Sequence, residues 1–434
     1  MLTTEAVLAL APDAASAKAA QGLIAPAQWP LRGADDHAVW GECQGSGSKP
    51  YQTQVDLAGP AFRCTCPSRK FPCKHGLALL LMRAQDGTAF SGGPPPAWVT
   101  EWLTTRAEKA QKQDARVAAG PQAPADPEAA AKREAQRWQR IEAACEDLSR
   151  WLADMLSQGL GAVNPAAVAA WQTMAARLVD AQAPGLAQRL REAAARIGDA
   201  PEHTLARLAM LQLACDGVAR RHTLPAAEQA DLRTLLGWPL ERADVLAQGT
   251  PLADRWCVLA VAQEEREPKL MERRVWLHGQ RSGQRALLLD HAFAGKGFEH
   301  SWVPGIAIDA ALVFYPSAAP LRAVCDASTV AGIASLPDDD EWQRLAGRVA
   351  ANPFTLLHPV VWRDAVMVQG NGWQAVAGGR ALHLALDPAD AWALQARGGG
   401  RPLHLAGEWD GHRLAPLTAW ADSAQPPLWQ RGAS

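Results

Sequence analysis

Cys64-Thr65-Cys66-Pro67-Ser68-Arg69-Lys70-Phe71-Pro72-Cys73-Lys74-His75 is the stretch on which the reading of this chain turns. Three of the 8 cysteines fall inside it, and a histidine closes it. Two ligand-type pairs, each split by one residue, flank the spacer 67–72. Three thiolates and one imidazole form the donor set of a tetrahedral zinc site, and four protein donors leave the metal no open position for chemistry. Cys-x-Cys is not the Cys-x-x-Cys spacing that tunes a redox thiolate. A disulfide needs an oxidising compartment, which no segment of this sequence announces. Cys64, Cys66, Cys73 and His75 are therefore expected to hold one structural Zn2+.

Working outward, residues 38–43 and 51–57 read as strands with alternating character, and the Gly/Ser/Pro-rich run 44–50 between them is turn chemistry. Residues 76–84 form a short apolar helix. The order is β-β-α around a metal, with the first ligand pair ending a hairpin strand and the second starting a helix. Gly45-Ser46-Gly47-Ser48-Lys49 lacks the spacing of a phosphate loop and leads into no helix, so it reads as a hairpin tip. Every ionised side chain within 60–84 is basic: Arg63, Arg69, Lys70, Lys74 and Arg83. Such a patch attracts a phosphate backbone, though cations also balance a thiolate-rich site.

With these residues in place, the stretch resembles the SWIM zinc-finger family, whose pattern is Cys-x-Cys, a variable spacer and Cys-x-His. All four ligand positions match, and the likeness covers residues 38–85. Trp40-Gly41-Glu42-Cys43 followed by Cys66-Pro67-Ser68-Arg69-Lys70-Phe71-Pro72-Cys73-Lys74-His75 is similar to the bacterial branch in particular. The resemblance implies binding of proteins or nucleic acid and no catalysis by the finger. It also implies a setting beside AAA+ ATPases and von Willebrand A domain proteins, hence a protein partner of that kind, with nucleic acid as the other partner class. Arg63, Arg69, Lys70 and Lys74 would supply the contacting rim.

The remainder suggests further domains. A chain of 434 residues has ample core, and a formal net charge of −2 confines any nucleic-acid contact to a local surface. After residues 1–90, Ser91-Gly92-Gly93-Pro94-Pro95-Pro96 breaks the chain. A helix over 97–103 and an Ala-, Gln- and Pro-rich linker to residue 127 are expected next. Residues 128–250 read as an all-α antiparallel array, with apolar residues Trp138, Ile141, Cys145, Leu148, Leu152, Met155 and Leu156 on one helix face. Asn164-Pro165, Pro184-Gly185, Pro201 and Pro225 mark later helix starts. Residues 251–434 read as α+β with an antiparallel sheet. The expected class is thus multidomain α+β: a ββα finger, a helical middle and a β-rich C-terminal region.

Cys43, Cys145, Cys215, Cys257 and Cys325 read as isolated buried thiols. His278, His291, His300, His383, His404 and His412 read as scattered surface residues rather than a second metal site. Glu5 stands where a secretory leader needs basic residues, and no run is apolar enough to span a bilayer, so a cytoplasmic, membrane-free protein is expected. No nucleophile elbow, His-Glu-x-x-His pair or dinucleotide fingerprint appears, which points away from an enzyme. The alternative is an enzyme with its site in the C-terminal region and the finger as a targeting device.

Overall fold

The N-terminal unit is a four-stranded antiparallel sheet with helices on both faces. It contains α1 (Thr4–Ala9), α2 (Ala14–Gln21), β1 (Leu31–Ala34), β2 (Ala38–Cys43), β3 (Tyr51–Asp56), β4 (Ala61–Cys64) and α3 (Lys74–Gln85), with strand order β1-β2-β3-β4. This computed structural model describes all residues except 1–3, 12–13, 46–48, 58–60, 69–71, 119–125, 160–167, 197–200, 239, 294–297, 299 and 433–434. The pleat sorts side chains by parity. Registers Cys43↔Tyr51, Gly41↔Thr53 and Thr53↔Cys64 put Gly41, Cys43, Tyr51, Thr53 and Cys64 on one face, with Val39, Val55 and Phe62 further along. That face packs under α3, whose Leu77 and Leu80 share its core. Gly41 is required there, since a Cβ would lie 2.9 Å from the Trp29 ring and 3.1 Å from Leu79.

The reverse face, with Ala38 and Trp40, packs on Val99 of α4 (Ala97–Ala118). Gln54 donates to the Trp98 carbonyl at 3.5 Å, and Arg106 pairs with Asp56 at 3.1 Å. The helix does not end at residue 103, as the linker reading had it. Ala, Gln, Lys and Arg after that point are good helix formers and carry it to Ala118.

Five α-helices follow among the described residues: α5 (Pro127–Ser157), α6 (Val168–Asp180), α7 (Pro184–Ala195), α8 (Pro201–Ala219) and α9 (Ala226–Leu236). Asp126 caps α5 through the Ala129 amide at 2.9 Å. The expected start at Asn164-Pro165 lies outside the described residues. Ile141, Leu148, Trp171, Leu178, Leu190 and Leu211 fill the shared core. Leu156, expected on that buried face, is exposed. Cys145 and Cys215, expected to be isolated, share a side-chain hydrogen bond between α5 and α8.

The C-terminal half is α+β with antiparallel pairing, as expected, and its strands form two sheets whose closure the sequence reading did not include. After α10 (Arg242–Gln248), strands β5 (Thr250–Glu267), β6 (Leu270–Gly279), β7 (Arg285–Phe293), β8 (Ile306–Phe314) and β9 (Arg322–Ile333) close into a barrel ordered β5-β6-β7-β9-β8. Its one parallel contact is β7 with β9. Then come α11 (Glu341–Ala351), β10 (His358–Gly370), β11 (Gly372–Ala377), β12 (Arg380–Leu384), α12 (Pro388–Gly398), β13 (Leu403–Trp409), β14 (Arg413–Trp420) and the short β15 (Trp429–Gln430). Here β10 pairs with β11 and β13, β11 with β12, β13 with β14, and β12 runs parallel to β14. The same five-strand ring is therefore built twice.

The copies pack through the outer face of β5-β6-β7. Arg274 binds Glu408 of β13 with two hydrogen bonds of 2.7 and 3.0 Å, and Trp276 Nε1 donates to the same carboxylate at 2.8 Å. Arg285 donates to Glu341 of α11 at 2.5 Å. Cys257, Leu259, Val361, Leu417 and Trp420 supply the apolar contact around these charges.

Candidate metal centre

The first two ligands come from the end of β4. Thr65 extends the pairing beyond the strand, its amide donating to the Gln52 carbonyl at 3.0 Å and its Oγ1 accepting from the Gln52 amide at 3.0 Å. That holds Cys64 on the α3 side, where its Sγ lies 3.1 Å from Thr53 Oγ1. The ligand pair thus follows from the fourth strand of the meander, β4, which the β-β-α reading had not separated from the hairpin. The other two ligands start α3. Cys73 is its extended N-terminal cap (φ −74°, ψ 161°), with its carbonyl accepting from the Leu77 amide at 3.1 Å. His75 follows within the first turn, its Nδ1 3.8 Å from Cys64 Sγ and its ring 5.1 Å from that of Tyr51. A helix N-terminus favours the thiolate form of nearby cysteines.

Ligand atoms of Cys64, Cys66, Cys73 and His75 all lie within 4.8 Å of one another. A tetrahedral zinc–thiolate shell places its donors about 3.8 Å apart, so a small contraction around the ion completes it. Cys73 and His75 are buried, Cys64 and Cys66 half-buried. The four side chains are positioned to bind one zinc ion.

Their mutual electrostatics fit a cation. Burial alone works against an imidazolium at His75, but hydrogen bonds and charge from Cys64 and Cys66 outweigh it and push the group up to about 9. Hydrogen bonds from Cys64 and Cys73 hold the Cys66 thiol well below its usual range. The same contacts with Cys64 and Cys66, together with burial, hold Cys73 far above it. Crowded thiols of this kind share protons, and a divalent cation replaces those protons on binding.

A fifth thiol, Cys43, is buried as expected but is not isolated, since it lies beside the ligands. Cys43 is fully buried on the ligand face, with its thiol pushed up to about 11 by burial first and then by Cys64. Its Sγ donates to the Gln44 carbonyl at 3.8 Å. The signal was available: Cys43 keeps parity with Gly41 on β2, as Cys64 does with Phe62 on β4.

The expected basic rim is divided. Lys74 is exposed on the first turn of α3. Arg63 is exposed too, but its register with Gln54 sets it on the sheet face opposite Cys64. Arg69 and Lys70 lie outside the described residues.

Among the described residues no second metal-type cluster appears. Two of the histidines expected at the surface are buried instead. His278 accepts from Arg285 on the barrel interface, and His404 Nδ1 accepts from the Asp364 amide at 3.3 Å.

Residues 51–84 match the SWIM zinc finger family, and residues 136–236 match the SWIM-associated four-helix bundle domain. No curated protein and no solved structure matches the chain. The second match runs from within α5 to the end of α9, over the helices whose core was described above. The chain therefore carries a SWIM zinc finger, with its four metal donors intact, followed by the four-helix bundle domain associated with that finger.

Proposed function

We propose that this protein is a non-catalytic, cytoplasmic adaptor whose zinc finger docks a protein partner while the bundle and barrels hold other subunits. The carrying observation is the closed set of donors. Cys64, Cys66, Cys73 and His75 supply the four donors of a tetrahedral shell, so a bound zinc would tie β4 to α3 and keep no open position for a substrate. By the family resemblance, the partner is an AAA+ ATPase or a von Willebrand A domain protein. Nucleic acid is the second reading for the finger, supported by Lys74 and Arg83, both exposed on α3.

Metal content of the purified chain tests the first half. About one zinc per chain is expected, with loss of most of it in Cys73→Ala; full retention in that variant sinks the reading. Capture from cell extract with and without nuclease tests the second half. Partners that survive nuclease and vanish with Cys73→Ala support protein docking by the finger, whereas partners lost only to nuclease support the nucleic-acid reading.

A further inference from the structure

The doubled barrel supplies a surface that the finger does not account for. Its ring, in which strands one, two, three, five and four close on the first and strands three and five run parallel, is the arrangement of oligonucleotide- and oligosaccharide-binding barrels. In those barrels the face over strands two and three, with the loop joining strands four and five, receives the ligand. Fold alone assigns no ligand, so the side chains must decide.

In the first barrel that face is occupied, and its occupants are anions. Glu408 and Glu341 sit on Arg274, Trp276 and Arg285, as described above. In the second barrel the equivalent face is open. Registers Val368↔Gln374, Gln374↔His383 and His383↔Arg413 line up one residue from each of β10, β11, β12 and β14 in a single row. Alongside it, Val366, Val376 and Ala381 make a second, apolar row. Neither row contains an acidic residue. Val368, His383 and Arg413 are exposed, and the Arg413 guanidinium has no ion-pair or hydrogen-bond partner among the described residues. Gln374 Nε2 lies 3.4 Å from His383 Nδ1. The β13–β14 loop adds the exposed ring of His412, its centroid 3.9 Å from that of His203 of α8 with the rings tilted by 34°, while Asp410 is occupied with the backbone amides of His412 and Arg413.

We propose that this open β10-β11-β12-β14 face binds a short run of single-stranded nucleic acid, with Arg413 on a phosphate and His383 and Gln374 against the bases. The chemistry is complementary. A cation stands at one end of the polar row, planar imidazoles offer stacking surfaces, and the valines form a smooth floor for base faces. Size agrees as well. Three inter-strand steps of about 4.8 Å make a row of about 14 Å, room for up to about four nucleotides at the 3.4 Å rise of a stacked strand and fewer for an extended one.

The test uses the full zinc-loaded chain and fluorescein-labelled 12-nucleotide single strands of DNA and of RNA, followed by anisotropy at low salt. Saturable binding of one or both strands is expected, and the stronger arm identifies the natural sugar. Arg413→Glu should weaken it at least tenfold, and Arg413→Gln should lower the slope of log affinity against log salt by about 0.7, the contribution of one phosphate contact. His383→Ala should weaken it severalfold, while Lys74→Glu should leave it within twofold. Melting temperature and zinc content, unchanged in these surface variants, show that each is folded. The proposal is overturned by absence of saturable binding, by equal binding of a labelled 12-base-pair DNA duplex run as a further arm, by Arg413 and His383 variants that bind like the parent, or by a loss that follows Lys74→Glu alone. Failure of the finger's own docking shows instead in Cys73→Ala, which leaves this face intact.

Discussion

His278 shows what a single buried residue does to the pH response. It lies on β6 beneath α11 and accepts a hydrogen bond from Arg285, which requires an unprotonated ring nitrogen. Burial first, and then the Arg285 charge, hold its imidazole down at about 3. His358 is held at about 4 by burial and Arg348. An unfolded chain protonates both near 6.5, so below that pH the unfolded state binds more protons and stability falls as pH falls towards 3. Each group contributes a slope of up to about 1.4 kcal/mol per pH unit across that window. Melting temperatures measured from pH 7 to pH 4 should therefore decline, and more gently in His278→Gln; an identical decline in that variant would show that His278 is not a source of the slope. Nothing in the local sequence around His278 signals this burial. Arg285 is its register partner across the β6–β7 hairpin, but Glu341, which binds Arg285, arrives with α11 only after the first barrel is complete.

Elements were legible where local chemistry is strong. Pro184, Pro201 and Pro225 open or immediately precede helices, and the three- and four-residue spacing of Ile141, Cys145, Leu148 and Leu152 marks a face that is wholly buried. Leu148→Ala should accordingly cost about 2–5 kcal/mol, measured by denaturant unfolding of the bundle. Short strands were harder. β1 and β4 have four residues each, too few for alternation to register. The helix α4 was masked by its own composition, because an Ala- and Gln-rich charged run serves equally as linker or helix. Contact with the sheet at Val99 and Arg106 selects the helix. The four metal donors needed no such help, since their spacing carries the ligand chemistry by itself.

At the scale of the whole molecule, strand content was visible but closure was not. Each ring is sealed by a parallel contact between residues far apart in sequence, Leu287↔Arg322 in one and His383↔Arg413 in the other, and no local pattern encodes such a partner. The joint between the copies depends on buried charge. Arg274 and Glu408 are 11% and 7% exposed; Arg274 also pairs with Glu272 and Glu264 at 2.8 and 3.1 Å, whereas Glu408 without Arg274 keeps only the Trp276 Nε1 hydrogen bond and is a buried carboxylate with no cation. Arg274→Met should destabilise the barrel pair by about 3–5 kcal/mol, and adding Glu408→Leu should recover much of that loss. A single variant that unfolds like the parent would show that the pair contributes little to the joint.

The carboxylates that cover the first barrel arrive from later in the chain, and this governs how the protein can be dissected. A fragment that stops before Glu341 exposes Trp276 and leaves Arg274 and Arg285 without Glu408 and Glu341. Such a fragment should express poorly and aggregate, whereas one that runs on through β14 stays in solution. Solubility, scored by which truncations survive centrifugation, then reports the order of dependence: the first barrel needs the second.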